Sequence, residues 1–150
     1  MMECKAAVVV LVSKNGSILI IKRRERDGDP WSGHMAFPGG RRESNEPCSE
    51  TAIRECLEEV GIKPCTLTPI GIYFPNNVPD MKVMAFLSCV DEEIEPKLQF
   101  EEVEKAFWIR PEELIKDKDA FLYKGYRIWG MTYRILRDVI EKGLYKNCVK

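Results

Sequence analysis

Long apolar runs are missing from this chain, and that excludes one class at once. The run Ala6–Val12 is far shorter than the about 20 residues a bilayer-spanning helix needs. It follows Glu3 and Lys5 and gives out in Ser13-Lys14-Asn15-Gly16, which is turn chemistry and not a cleavage site, so no export signal is expected. An excess of either charge is also missing. Lys plus Arg (23) and Asp plus Glu (24) leave a net charge of −1, which removes the broad basic footprint of a duplex nucleic-acid binder. An anionic small molecule would have to be held by local arginines or lysines and a metal. The six cysteines contain no C-x-x-C pair and no metal-finger spacing. They are expected as free thiols in a reducing cytoplasm, with disulfides the alternative if the source is a hyperthermophile. Repeats, low-complexity tracts and linkers are absent too, so residues 1–150 are expected to form one domain.

What is present suits an enclosed core. Of the 150 residues, 45% are hydrophobic and 31% charged, the balance of an ordinary globular chain. Ala6–Val12 and Ile18–Lys22 read as antiparallel strands around Asn15-Gly16, a dipeptide suited to the positive φ of a tight hairpin. Trp31–Phe37 predicts a strand that Pro38-Gly39-Gly40 stops, and Lys22–Pro30 a loop. A helix is predicted from Pro47, suited to a first turn, to Val60, with Gly61 at its C-terminal cap. Ile70–Tyr73, Lys82–Val90 and Ala106–Ile109 predict further strands, and Pro111–Leu114 a helical turn. A final amphipathic helix is predicted over Trp129–Glu141. The expected class is α/β, with a mixed, largely hairpin-connected sheet.

The helix over 47–60 carries the chemistry. At 3.6 residues per turn, Ala52, Ile53, Cys56, Leu57 and Val60 share an apolar arc, and Glu55, Glu58 and Glu59 gather on the other side near Arg54. Crowded carboxylates in the second half of a helix repel one another and oppose its dipole. Either they are solvated beside an Arg54–Glu58 pair, or a hard divalent cation such as Mg²⁺ or Mn²⁺ offsets their charge.

The surrounding spacing favours the cation. From Gly40 there are five residues to Glu46 and seven more to Arg54-Glu55, followed by Cys56, Leu57, Glu58-Glu59, Val60 and Gly61-Ile62. This resembles the Nudix box, G-x5-E-x7-R-E-U-x-E-E-x-G-U with U aliphatic. Cys56 is the one departure, at an aliphatic position that a small buried thiol can fill. Trp108-Ile109-Arg110-Pro111-Glu112-Glu113-Leu114 is similar to the family outside the box.

The resemblance implies an α/β/α sandwich of the Nudix type and a Mg²⁺- or Mn²⁺-dependent diphosphatase, in which water attacks one phosphorus of a nucleoside diphosphate derivative. By position it makes Glu55, Glu58 and Glu59 the metal set, with the Gly40 carbonyl completing the shell and Arg54 orienting a glutamate. Glu46 braces the loop or helix start. Glu102, or Glu101, is the candidate general base outside the box. Arg24, Arg41, Gly39 and Gly40 are the candidate substrate contacts. His34, the only histidine, reads as packed or hydrogen-bonded and not catalytic.

Asp29–Arg42 is similar to the coenzyme A diphosphatase branch through Gly33 and Phe37-Pro38-Gly39-Gly40, with Arg24 at an arginine position of that pattern. Lys22, Glu25 and Asp29 depart from it. The matching positions make coenzyme A the leading substrate that the resemblance implies, against these departures. ADP-ribose, dinucleoside polyphosphates and nucleoside triphosphates remain alternatives, as does a catalytically silent nucleotide-binding domain. Neither duplex nucleic acid nor membrane is an expected partner, and a homodimer is compatible with the sequence.

Overall fold

The computed structural model describes residues 3–150. In chain order the elements begin with β1 (Ala6–Ser13), β2 (Ile18–Arg23), β3 (Met35–Ala36), β4 (Gly39–Arg41) and α1 (Cys48–Val60). Then come β5 (Thr68–Tyr73), β6 (Val83–Val90), β7 (Val103–Ile109), β8 (Ile115–Asp117), β9 (Ala120–Tyr123), β10 (Tyr126–Trp129) and α2 (Gly130–Glu141).

β1 is the centre, buried along its whole length. Alternate side chains of a strand face opposite ways, so Val8, Val10 and Val12 enter one core layer and Ala7, Val9 and Leu11 the other. A strand covered on both faces needs no polar side, which is why it reads as an unbroken apolar run. From α1, Ala52, Cys56 and Val60 close the layer holding Val9 and Leu11. From α2, Ile135, Leu136 and Val139 close the layer holding Val10 and Val12. The result is an α/β/α sandwich, as expected.

The sheet is mixed. β1 runs parallel to β6 from Ala6↔Val83 to Ser13↔Val90 and antiparallel to β4, while β2 pairs antiparallel with β7 and β3. β1 and β2 meet at the single registered pair Val12↔Ile18 and then diverge to these separate partners. The turn between them is wider than Asn15-Gly16 suggests. Gly16 has a φ of 88°, whereas Asn15 stays out of the left-handed region, and the Ser17 N–H donates to Ser13 Oγ at 3.1 Å.

Other expectations are corrected by tertiary contacts. Trp31–Phe37 is strand only at Met35–Ala36, because the His34 N–H turns back to the Trp31 carbonyl at 3.1 Å. Pro38-Gly39-Gly40 does not end the sheet: Gly39 and Gly40 begin β4, pressed against β1. A Cβ at residue 39 would lie 2.3 Å from the Ala7 carbonyl oxygen, so only glycine permits this pairing. Pro47 caps α1 from an extended conformation and lies just outside the helix, while Gly61 ends it in the left-handed region at φ 72°. β8, β9 and β10 form a three-stranded antiparallel sheet that the sequence patterning did not predict. The turn between β9 and β10 uses positive φ at both Lys124 and Gly125, and lysine there carries no recognisable hairpin signal.

The cysteines differ most from expectation. Cys4–Cys48 and Cys89–Cys148 are disulfides, with Cα atoms 6.1 and 5.2 Å apart, and Cys56 and Cys65 are the free thiols. The paired residues are 44 and 59 positions apart in sequence, so only folding brings them within bridging distance. No helix among the described residues is long and apolar enough to cross a membrane.

Candidate active site

α1 does not divide into apolar and acidic sides as simply as its periodicity suggests. Glu59 is 1% exposed, whereas Leu57 is 47% exposed. The reason is the helix phase. Glu59 lies seven residues after Ala52 and three after Cys56, which returns it to the arc those residues bury. Glu55 stands one turn earlier at the edge of that arc.

Glu59 enters the core at the point where β4 runs beneath the helix. The Gly39 N–H donates to Glu59 Oε1 at 3.2 Å. Gly40 leaves room for Glu55: a Cβ there would lie 2.4 Å from Glu55 Oε2. Burial, and then the Glu55 charge, push the Glu59 carboxyl well above the ordinary carboxylate range.

The third acid arrives from outside the helix. The Lys97 N–H donates to the Val60 carbonyl at 2.8 Å and the Gln99 N–H to the Glu59 carbonyl at 3.0 Å. The segment before β7 therefore hangs on the free carbonyls that end α1. Its turn closes through the Glu102 N–H to the Gln99 carbonyl, 2.9 Å. Glu55, Glu59 and Glu102 thereby offer oxygens that all lie within 4.8 Å of one another. Glu58 stands outside this group, its side chain 53% exposed and 3.6 Å from Arg54. Glu101 is exposed and also outside.

Arg54 holds the arrangement from the side. Its Nε donates to Glu46 Oε2 at 2.7 Å, Nη1 to Glu55 Oε1 at 2.8 Å, and Nη2 to the Arg41 carbonyl at 3.1 Å. Glu46 also accepts from Thr51 Oγ1 at 2.7 Å and from the Glu43 N–H at 3.1 Å. The Arg54 hydrogen bond, supported by Thr51 and Glu43, holds the Glu46 carboxyl at about 2. Glu46 is thus fully engaged as a brace between the loop and α1.

These groups lie in a cleft of about 570 Å³ that contains Glu55, Glu59, Glu102, Gly39, Gly40 and Arg41. Arg41 stacks over Trp31, 5.9 Å from the ring centroid. Arg24 is not on the wall: its N–H donates to the Glu102 carbonyl at 2.8 Å and its Nε to the Phe100 carbonyl. It secures the turn that carries Glu102. The wall instead receives Arg23, bound to Asp29 at 3.2 Å, with a buried Nε lacking a partner among the described residues. Trp129 completes the far side, edge-on to His34 at 5.0 Å, and burial lowers the His34 pKa. Arg23 and Trp129 end β2 and β10, 106 residues apart in sequence, and only the tertiary fold brings them to one cleft.

A family model described as the NUDIX domain matches residues 2–127. The chain belongs to the NUDIX domain family. It is 34% identical over 86 residues to the ADP-ribose pyrophosphatase of Methanocaldococcus jannaschii, covering 57% of this chain and 49% of that protein. It is 26% identical over 152 residues to the uncharacterized Nudix hydrolase NudL of Enterobacter sp., covering 89% of this chain and 79% of that one. The chain therefore spans only about half the length of the first relative. In fold it matches the NUDIX domain of Shewanella oneidensis NrtR complexed with ADP-ribose. The TM-score is 0.70 and the identity 12%, covering 95% of this chain and 89% of that one.

Proposed function

We propose that residues 1–150 act as one NUDIX domain that hydrolyses the diphosphate linkage of a nucleoside diphosphate derivative, with water attacking phosphorus. The observation that carries this is the convergence of Glu55, Glu59 and Glu102 within 4.8 Å on one wall of the cleft. The donor set fits a hard divalent cation. It consists of carboxylate oxygens, and Glu59 is buried against Glu55, with the Gly39 N–H and the more distant Arg23 charge offsetting it only in part. Mg²⁺ or Mn²⁺ held by Glu55, Glu59 and Glu102, with the Gly40 carbonyl beside them, would neutralise the diphosphate and acidify a bound water. Glu58, at the rim with Arg54, would add a ligand once substrate is bound.

The chain's own residues do the rest. Arg54 fixes the Glu55 carboxylate through a charge-assisted hydrogen bond. Glu102, carried on a separate turn and with a second carboxylate oxygen beside the one offered to the cation, would take a proton from the attacking water. Gly39 and Gly40 line the cleft beside the acids, and Arg41 provides a guanidinium for the substrate's phosphates. Arg24 supports substrate turnover indirectly, by holding the Glu102 turn.

For the substrate we propose coenzyme A or a related ADP-containing molecule, on the segment from Asp29 to Arg42. ADP-ribose is the second reading, favoured by the 34% identity to the M. jannaschii pyrophosphatase. A silent binding domain has no use for a buried acid pressed against a second carboxylate, as Glu59 is against Glu55. The protein would work as a hydrolase on a small nucleotide in the cytoplasm. The deciding experiment is turnover of coenzyme A, ADP-ribose, dinucleoside polyphosphates and nucleoside triphosphates with Mg²⁺ or Mn²⁺, resolved by chromatography, beside Glu59→Gln. Glu59→Gln is expected to lose turnover by orders of magnitude and keep its fold; unchanged activity would sink the metal-site reading.

A further inference from the structure

We propose that a second, arginine-walled pocket beside the cleft binds a phosphate monoester carried on the substrate away from the scissile diphosphate. This rests on the diphosphate-hydrolase reading and narrows its substrate class to nucleotides bearing an additional phosphate.

The pocket has a volume of about 280 Å³ and is walled by Arg127, Arg134, Arg137, Tyr133 and Asp119. Asn76, Trp129 and Gly130 belong to its wall and to that of the catalytic cleft. One ligand can therefore lie in both.

Two of the guanidiniums are set in place. Arg134 Nη1 donates to Asn76 Oδ1 at 2.6 Å and Nη2 to the Phe74 carbonyl. Arg137 stacks over Tyr133 at 5.7 Å and meets Asp138 at 3.6 Å. Arg127, on β10, is exposed, and its side chain has no hydrogen bond or ion pair among the described residues. Asp119 is the one carboxylate on this wall, facing three arginines. In a chain of net charge −1 this is a local excess of positive charge.

Guanidinium forks match phosphate oxygens in geometry, and converging like charges in a concave surface favour a dianion over a monoanion. A phosphate monoester is nearly dianionic at neutral pH. The cleft, by contrast, is acidic at Glu55, Glu59 and Glu102 and suits a phosphate that comes with a metal. The two pockets thus call for two chemically different phosphates in one molecule.

The test is binding calorimetry with 5′-AMP, adenosine 2′,5′-bisphosphate and adenosine 3′,5′-bisphosphate in Mg²⁺. At least one bisphosphate is expected to bind roughly tenfold or more tightly than 5′-AMP, the scale of a charge-assisted phosphate contact. The two bisphosphates distinguish the ribose position. Arg127→Ala/Arg137→Ala is expected to erase the advantage while leaving 5′-AMP affinity unchanged. Arg127→Glu, altered at an exposed residue without partners, reports the same loss if the double variant folds poorly. Equal binding of all three nucleotides by the wild-type protein would overturn the proposal, as would an advantage that survives both variants. The readout does not require hydrolysis. A bisphosphate preference without cleavage of any diphosphate overturns the hydrolase reading alone, and cleavage without the preference overturns the subsite alone.

Discussion

No side-chain carbon fits between Gly40 and Glu55: a Cβ on residue 40 would lie 2.4 Å from Glu55 Oε2. The Glu55 side chain therefore lies directly against the Gly40 backbone, and the carboxylate position depends on a missing methyl group.

Gly40→Ala should displace Glu55 without unfolding the domain, because the carboxylate end can move where backbone cannot. Loss of a group that positions a ligand costs roughly 10- to 100-fold in metal affinity or activity. Mn²⁺ titration followed by electron paramagnetic resonance should show weakening in that range. Wild-type affinity would mean that Glu55 is not a ligand.

Cation binding should stabilise the protein through Glu59. A ligand at 100 times its dissociation constant adds about 2.7 kcal/mol to the native state. Saturating Mg²⁺ or Mn²⁺ should raise the wild-type Tm by several degrees, and chelation should reverse it. Glu59→Gln, which removes a buried carboxyl pressed on Glu55, should have an apo Tm at or above wild type and a much smaller response to metal. An equal response in both proteins would place the cation elsewhere.

Arg54→Lys should not be conservative. One ammonium cannot reach Glu46, Glu55 and the Arg41 carbonyl together as the guanidinium does. Urea denaturation should report a loss of about 1.5–3 kcal/mol, the scale of hydrogen bonds to charged groups. Turnover should fall as well, since Glu55 loses its anchor. A variant with wild-type kcat would remove Arg54 from the positioning role.

Glu46 should make stability depend on pH in the acid range. Its folded pKa of about 2 lies below the ordinary 4.5. The Glu46 contribution is therefore complete above about pH 4.5 and is lost as pH falls toward 2. The Tm difference between wild type and Glu46→Gln should be constant from neutral pH to about 5 and shrink below it. A difference that stays flat down to pH 2.5 would contradict the Arg54 pairing.

Thiol counting should find two classes. Cys65 is exposed and Cys56 buried, with burial holding the Cys56 thiol up near 12. A thiol reagent should titrate one group in the native protein and two after unfolding without reductant. Reductant should expose six. Replacing Cys89 and Cys148 by Ser should cost about 2–4 kcal/mol, the usual worth of a disulfide. Six titratable thiols without reductant would show that the bridges do not form.

The sequence by itself determined the features that depend on neighbouring residues. The apolar run Ala6–Val12 marked a strand, and Pro47 and Gly61 bounded α1 to within a residue. The spacing from Gly40 to Ile62 placed Glu55 and Glu59 one turn apart beside Arg54. Only the tertiary structure decided which acids meet. The helix phase turned Glu59 inward and left Glu58 at the rim, while free carbonyls at the end of α1 drew in the turn that delivers Glu102. It also paired Cys4 with Cys48 and Cys89 with Cys148, moved Arg24 off the wall, and joined Arg127 to Arg134 and Arg137. The physical reason is the same in each case. Helical and strand periodicity is a local property, whereas a contact between distant residues exists only once the sheet has closed the loops between them. For Gly40 and Glu55 both levels were needed: the spacing named the pair, and the packing of β4 under α1 made the missing methyl matter.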